Sequence, residues 1–416
     1  MKNNIAAIIL AAGKGERMKS RMPKVLHPIC GRPMLDYVLD LVREIKIKKS
    51  VIVLGHQAGE VKKHLEAGIK VALQKRLLGT ADAVKAGLAA LGAFRGTVLI
   101  LYADIPLLKK ETLKNLIAHH SKNNLDATIL TAQLDKPVGY GRILRDRYAS
   151  IAGIIEEKDA DEYQKDIKEV NTGIICFAKD KLSAALKSVR LNKRKKEYYL
   201  TDLIAILHQR GALIEAVKIS DIDEALGINS RVDLGQANRI MQQRINEKFM
   251  LEGVTITDPQ SAFISYGAKI GRDSVIYPFT VIENDVRIGK RCLVGPFVHL
   301  REDSVIADDV VVGNFLEIAR SRLSAKTTAK HFSYLGDSRI GRSVNIGAGT
   351  VTANFDGRKK NITVIKDHAF IGSDTVLVAP VTIGRGVRTG AGAVVIRDVA
   401  DGMTVVGVPA KPLKQR

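Results

Sequence analysis

The chain has 416 residues, 46% apolar content and a net charge of +21, and its mean hydropathy is +0.01; this suits a water-soluble protein of two or three domains. Its three cysteines, Cys30, Cys176 and Cys292, are too few and too far apart for a disulfide framework or a cysteine metal cluster, which favours a reducing compartment such as the cytoplasm. Residues 1–229 carry 39 Lys+Arg against 26 Asp+Glu (+13) and residues 230–416 carry 26 against 18 (+8), so both halves attract anions.

Lys2 precedes an apolar run over residues 5–12 that ends in Gly13-Lys14-Gly15. It lacks a small-residue cleavage site and reads as a first buried strand, not a signal peptide. No segment approaches the roughly 20 apolar residues that span a bilayer. Short Val/Ile/Leu runs follow at 51–54, 71–73 and 98–101, separated by amphipathic stretches at 81–91 and 111–120. Buried strands alternating with helices predict an α/β domain whose parallel sheet is covered on both faces. The run Lys193-Arg194-Lys195-Lys196 reads as a solvated loop, the alternative being contact with a phosphorylated ligand or nucleic acid; no aromatics interleave the bases, which argues against nucleic acid. Residues 231–250 predict one helix with Leu234, Ala237, Ile240, Met241 and Ile245 on a face, a linker.

After Gly253 the period changes to six. Ile264, Ile270, Ile276, Ile282, Ile288, Val294, Leu300, Ile306, Val312 and Ile318 are ten aliphatic residues at strict six-residue spacing. A helix has no use for that period. A triangular solenoid does: each hexapeptide is one side and its aliphatic residue points inward. The register resumes at Ile340 and Ile346, then at Ile365, Ile371, Leu377 and Ile383. The interruptions, 319–335 and 352–364, are expected to be loops leaving the solenoid, where function tends to sit.

Two features suggest a phosphate site in the first half. Leu10-Ala11-Ala12-Gly13-Lys14-Gly15-Glu16-Arg17, then Pro23-Lys24, follows the first strand; small residues let backbone N–H groups approach phosphates, and Arg17 and Lys24 add cations. The spacing is neither a dinucleotide fingerprint nor a P-loop. The apolar strand ending in Tyr102-Ala103-Asp104-Ile105-Pro106 places a carboxylate at the sheet edge, where it either holds Mg²⁺ or caps a turn.

These segments, with Gln74, Leu78-Gly79-Thr80-Ala81, Gly139-Tyr140-Gly141-Arg142-Ile143, Glu156-Glu157-Lys158-Asp159-Ala160, Asn171-Thr172-Gly173-Ile174, Glu197-Tyr198-Tyr199-Leu200-Thr201-Asp202 and Gly227-Ile228-Asn229, occur in one order. The series resembles the bifunctional N-acetylglucosamine-1-phosphate uridylyltransferase / glucosamine-1-phosphate N-acetyltransferase family over nearly the whole chain. The resemblance implies an α/β, Rossmann-like nucleotidyltransferase domain at 1–229, a linker helix at 230–252 and a left-handed parallel β-helix at 253–416. It implies that Leu10, Ala11, Ala12 and Gly13 with Gln74, Gly79 and Thr80 hold the uridine nucleotide, and that Arg17 and Lys24 neutralise its triphosphate. Asp104 and Asn229 would ligate Mg²⁺. Gly141, Glu156, Asn171 and Thr201 would contact the amino sugar, with Asn229 beside its phosphate.

In the second half the resemblance rests on Arg301, Gly313-Asn314-Phe315, Lys330-His331, Tyr334-Leu335-Gly336-Asp337, Asn345-Ile346-Gly347-Ala348, Asn354, Lys360 and Gly372-Ser373-Asp374. It implies His331 as the base of acetyl transfer. Arg301, Tyr334, Asn345 and Lys360 would bind glucosamine 1-phosphate, and Asn354, Ser373 and Ala391 would contact acetyl-CoA, in a homotrimer. The chain departs from the pattern at Ala103 (Gly expected), Ala319 (Lys), Phe355 (Tyr) and Gly407 (Arg), and is shorter than expected before Pro296. Losing a phosphate-binding cation costs about 1.5–3 kcal/mol, and Arg320 is the nearest substitute. Three alternatives therefore stay open: a uridylyltransferase with a purely trimerising β-helix, a nucleotidyltransferase for another base or sugar, and a regulatory subunit. The last is disfavoured by the presence of Arg17, Lys24, Asp104 and Asn229.

Overall fold

A computed structural model describes residues 4–192 and 196–412. The first three residues of the basic run, 193–195, lie outside the described residues. Two units form: one takes in the chain up to Ile29 and Pro33–Ala237, the other Cys30–Arg32 and everything from Asn238 onward.

In the first unit the central sheet runs, edge to edge, Ile214–Lys218, Ala127–Gln133, Glu169–Ala178, Thr97–Tyr102, Ile5–Ala11, Lys49–Leu54, Lys70–Leu73. All neighbours are parallel except at Glu169–Ala178, which is antiparallel to both strands beside it. The expectation of a purely parallel sheet is corrected there. A buried apolar run does not encode its own direction, and this strand follows the hairpin Gly141–Arg145/Ile151–Ile155 through only the one-turn helix Glu162–Lys165, too short for a crossover to a parallel neighbour. Successive side chains of a strand point to opposite faces. Ala6, Ile8 and Leu10 pack under the helices Thr80–Leu91, Lys179–Leu186 and Asp202–Gln209. Ala7, Ile9 and Ala11 are equally buried on the other face. Burying an isoleucine this fully contributes about 1.5–3 kcal/mol, which is why the strand is apolar at every position. The helix Lys110–Lys122 has no cap of its own. Instead buried Glu224 accepts from the Lys109 N–H at 2.8 Å and the Thr112 hydroxyl at 2.9 Å, satisfying donors that a helix start leaves open.

The second unit begins on the helix Arg231–Leu251 and winds into a left-handed parallel β-helix of three sheets with ten, eight and seven strands. Two-residue strands such as Lys269–Ile270 and Arg287–Ile288 stack in register, coil upon coil. All ten residues of the six-residue ladder, Ile264 to Ile318, are buried. At the corners a non-glycine residue takes a left-handed conformation every six residues, from Asp273 to Phe315, with φ between 54 and 63°. Such a residue costs about 1–2 kcal/mol, offset by the ladder each turn completes. Asp tolerates the conformation best; where Phe279, Phe297 and Phe315 take it instead, their rings stack at 5.0 Å centroid spacing.

The first expected loop is absent. Through 319–335 the solenoid continues, with strands at Arg322–Leu323, Thr328–Ala329 and Ser333–Gly336. The register broke because one side in each of two successive coils lost a residue: Val305 pairs with Arg322 and Arg322 with Arg339, steps of 17, against 18 from Arg287 to Val305. His331 is thus on a corner of the solenoid and not in a loop leaving it. The second interruption is a real excursion, residues 354–362, between Val351–Ala353 and Thr363–Ile365.

Candidate active sites

The turn after Ile5–Ala11 forms one wall of a cavity of about 620 Å³, lined by Leu10, Ala11, Ala12, Gly13, Arg17, Lys24, Gln74, Gly79, Thr80, Asp104 and Asn229 among others. Gly15 has φ +65°, and a Cβ there would lie 2.7 Å from the Lys24 Cβ; only glycine lets the loop lie this close to the lysine. Across the cavity, Gly79 has φ +102° and a Cβ on it would meet the Tyr198 carbonyl at 2.6 Å. The buried Gln74 amide donates to the Gly79 carbonyl and to the Asp82 carboxylate in the first turn of the helix Thr80–Leu91, each at 2.9 Å. Thr80 Oγ1 accepts from the Leu200 N–H at 2.9 Å. The cavity rim is therefore fixed by its own backbone before any ligand arrives.

Asp104 and Asn229, 125 positions apart in the sequence, meet at Lys24. The Lys24 ammonium donates to the Asp104 carboxylate and, at 3.0 Å, to Asn229 Oδ1. The Ile228 N–H donates to the Asp104 carbonyl at 2.9 Å, and Asp233 accepts from the Asn229 N–H at 2.9 Å and the Ser230 N–H at 2.8 Å. The strand end and the linker-helix start are so tied together that a carboxylate and an amide oxygen converge on one cation position, which Lys24 Nζ takes. This all-oxygen pair fits Mg²⁺, which takes few protein ligands and completes its shell with phosphates and water. The turn-cap reading of Asp104 does not describe its side chain.

Gly141, Glu156, Asn171 and Thr201 are not among the lining residues of that cavity; they form two pairs, and Glu156 acts on Tyr102, which does line it. Asn171 pairs with Gly141 across two strands. Thr201 donates to Glu156 at 2.9 Å, and a Cβ on Gly173 would touch the Tyr102 ring at 2.9 Å. Burial holds the Glu156 carboxyl above its ordinary range, opposed by the Thr201 hydroxyl and reinforced by Asp202, Asp159 and Glu197. Burial, then Glu156 and Asp104, push the Tyr102 phenol up. Lys14, Lys158 and Glu197 also line the cavity; each lies inside a motif quoted above, with no individual role expected of it. Ala103 is fully buried, so its extra methyl is packed inside.

On the solenoid, Arg301 donates to Glu317 at 3.0 Å, and Glu317 is in register with Tyr334. Arg320 grips Asp337 with two bonds, 2.7 and 2.8 Å. The Asn354 amide donates to Asp337 and reaches Tyr334 Oη at 3.5 Å. Arg320, then Asn354, hold the Asp337 carboxyl below its ordinary range against the opposing effect of burial, and Lys360 adds to this. Ala319 is fully buried and offers no cation. Asn345 stands on a different sheet, accepting from the Thr328 hydroxyl at 3.3 Å. His331 is exposed at the corner preceding Ser333–Gly336. Ser373 and Ala391 lie further along that row of corners, where the Gly392 N–H donates to the Ser373 carbonyl at 2.8 Å. Phe355 is 62% exposed, and Gly407 has φ +90°.

An α/β sheet with a cation-lined cavity at its strand ends, followed in the same chain by a hexapeptide solenoid, defines a nucleotidyltransferase fused to a β-helical transferase. Residues 7–167 match the MobA-like NTP transferase domain, and residues 267–301, 285–320 and 362–397 match the bacterial transferase hexapeptide (six repeats). The chain is 43% identical over 428 residues to the bifunctional protein GlmU of Geobacillus sp. (strain WCH70), covering 95% of this chain and 93% of the relative. It is 42% identical to that of Heliobacterium modesticaldum (strain ATCC 51547 / Ice1), covering 96% and 94%. It is 39% identical to that of Alkaliphilus metalliredigens (strain QYMF), covering 97% and 95%. The chain belongs to the GlmU family of bifunctional transferases.

Proposed function

We propose that the first unit joins UTP to N-acetylglucosamine 1-phosphate, releasing pyrophosphate, and that the solenoid makes that acceptor by acetyl transfer from acetyl-CoA to glucosamine 1-phosphate. The first reading rests on the convergence of Asp104 and Asn229 upon Lys24 inside the cavity. The acceptor's phosphate oxygen forms a bond to the α-phosphorus while the bond to the bridging oxygen breaks and pyrophosphate leaves. Two anions must meet, so positioning and charge neutralisation supply the rate. The backbone of residues 10–13, with Gln74, Gly79 and Thr80, holds the nucleotide. Arg17 and Lys24 neutralise the triphosphate, and Gly141, Glu156, Asn171 and Thr201 orient the sugar. Mg²⁺ held by Asp104 and Asn229 would supply Lewis-acid stabilisation of charge on the phosphates.

In the second reaction His331 takes a proton from the acceptor's ammonium group, the freed amine forms a bond to the thioester carbonyl carbon, and as the C–S bond breaks the departing thiolate takes up the second proton shed by the new amide nitrogen. Imidazole suits that transfer near neutral pH. Arg301, Tyr334 and Lys360 hold the acceptor, and Asn354, Ser373 and Ala391 the coenzyme. Asn345's place on a separate sheet favours a site completed by a neighbouring copy in a homotrimer. The substrates are small cytoplasmic metabolites, and we place the protein in the cytoplasm; among the described residues no helix is long and apolar enough to cross a membrane. A solenoid that only trimerises is the second reading, favoured by Arg301 and Arg320 being engaged by Glu317 and Asp337. Pyrophosphate release from UTP and N-acetylglucosamine 1-phosphate tests the first reaction, and thiol release from acetyl-CoA and glucosamine 1-phosphate the second. No thiol release from the intact protein sinks acetyl transfer and leaves the trimerising reading.

A further inference from the structure

The outward positions of the seven-stranded sheet differ from those of the other two. In register, coil by coil, they read Lys269, Arg287, Val305, Arg322, Arg339. The equivalent stretch of the eight-stranded sheet reads Phe263, Val281, His299, Glu317, Tyr334. Arg322 and Arg339 are direct neighbours, with rungs about 4.8 Å apart. Like charges placed directly opposite destabilise a sheet, and among the described residues neither arginine side chain has a hydrogen-bond or ion-pair partner, nor has that of Arg287.

These side chains line a cavity of about 690 Å³ together with Asp285, Asp303, Val305, Arg320, Asp337 and Ile362. Its charge is polarised along the solenoid axis. In the upper two coils Arg320 and Asp337 neutralise each other, leaving Arg322 and Arg339 as two uncompensated guanidiniums. In the lower two coils Asp285 and Asp303 outnumber Arg287. A ligand matching this pattern has a dianionic group at one end. One or two rungs away, about 5–10 Å by the strand spacing, it has hydroxyl or ammonium donors. A phosphorylated amino sugar has that length and that polarity. The Arg320–Asp337 pair forms a wall shared with Tyr334 and Asn354, the groups assigned above to the acetyl acceptor.

We infer that Arg322 and Arg339 are the phosphate clamp for the sugar phosphate acetylated on the solenoid, supplying the charge absent at Ala319. The inference rests on the acetyl-transfer reading for its reaction and on the arginine cavity for its site. Guanidinium pairs hold phosphate bidentately. Among the described residues of the two upper coils, the Arg320–Asp337 pair is closed on itself, and Arg322 and Arg339 carry no competing carboxylate bond; Arg287 lies in the lower coils beside Asp285 and Asp303.

The test is calorimetric titration of the full-length protein with glucosamine 1-phosphate, with UTP saturating and no added metal, so that the nucleotide cavity is filled. The double variant Arg322→Gln/Arg339→Gln should bind at least about tenfold more weakly, and inorganic phosphate should compete in the wild type only. In steady state its KM for glucosamine 1-phosphate should rise by a similar factor, with kcat within about threefold and uridylyl transfer unchanged. Arg322→Lys/Arg339→Lys should recover part of the affinity, since it keeps charge but not the fork. Both positions are exposed, and the glutamines relieve like-charge contact, so the melting temperature should not fall. Affinity and KM within twofold of wild type would overturn the clamp even while acetyl transfer proceeds. Arginine-dependent binding in a protein that releases no thiol would sustain the clamp and overturn the acetyl-transfer reading instead.

Discussion

Asp104→Ala is the perturbation that most directly probes the first site. The Lys24 and Asp104 side chains are 11% and 19% exposed, so water screens their interaction only partly. Removing the carboxylate leaves a nearly buried ammonium with Asn229 Oδ1 at 3.0 Å as its remaining partner. A hydrogen bond between charged groups contributes about 1.5–3 kcal/mol, and the partial exposure argues against the larger penalties of deeply buried pairs. About 2 kcal/mol lost from a unit of this size lowers the melting transition by roughly 4–8 °C. The effect on uridylyl transfer should be far larger, at least about 100-fold in kcat/KM, because the same carboxylate is assigned to cation binding where charge develops. Pyrophosphate release at 25 °C, well below the shifted transition, separates the two effects. Mn²⁺ binding in the presence of UTP, followed by electron paramagnetic resonance, should weaken in parallel. Acetyl transfer, sited on the other unit, should be unaffected. A variant that releases pyrophosphate within tenfold of the wild-type rate would refute the assignment of Asp104 to the cation.

His331→Ala should lower acetyl transfer by about 10²–10⁴-fold while pyrophosphate release holds, and equal loss of both activities would contradict separate sites. Glu156→Gln bears on pH. Because burial raises the folded-state pKa of Glu156, the protonated form is favoured in the fold; its stabilisation is complete below the unfolded value of about 4.3 and lost as pH rises through the folded value. The glutamine variant, always neutral, should therefore melt higher than wild type at neutral pH and lose that advantage on acidification. Asp337→Asn has the opposite sign. Arg320 depresses the Asp337 pKa, so its stabilisation is present above about 3.9 and lost as pH falls through the lower folded value. Guanidinium denaturation of the variant should show weaker stability at pH 7 and convergence with wild type in acid. Phe297→Ala interrupts two ring stacks and should destabilise the solenoid by about 1–2 kcal/mol, read in the same denaturation experiment.

The solenoid was the most legible part of the sequence because one physical demand, an aliphatic residue pointing inward, recurs at a fixed interval. Ile264 to Ile318 announce it without help from any other residue. The same demand explains the misreading at 319–335. Dropping one residue from a corner shifts every later position in the sequence count but leaves Leu323, Ala329 and Leu335 buried, so the architecture tolerates what the period cannot express. Strand direction was illegible for a different reason. A strand of buried Val, Ile and Phe reads alike from either end, and the antiparallel placement of Glu169–Ala178 depends on the hairpin at Gly141, which no periodicity marks.

The two sites differ in the same way. In the first unit the glycines at 15 and 79 are forced by close contact with the Lys24 side chain and the Tyr198 backbone, and Asp104 stands in the turn just after the strand Thr97–Tyr102, so each carries a local signature. Their meeting with Asn229 is non-local. It follows from the Ile228 N–H reaching the Asp104 carbonyl, a single bond between segments whose separation in sequence predicts nothing. On the solenoid the ladder turns residues 17 or 18 apart into neighbours. Once the coil is known, Arg322 above Arg339, or Arg320 near Asp337, can be read directly from numbering. A repeat architecture thus makes side-chain juxtaposition computable where a doubly covered sheet does not. The cost of two adjacent guanidiniums on an otherwise regular face is the kind of local conflict that folding alone would not maintain.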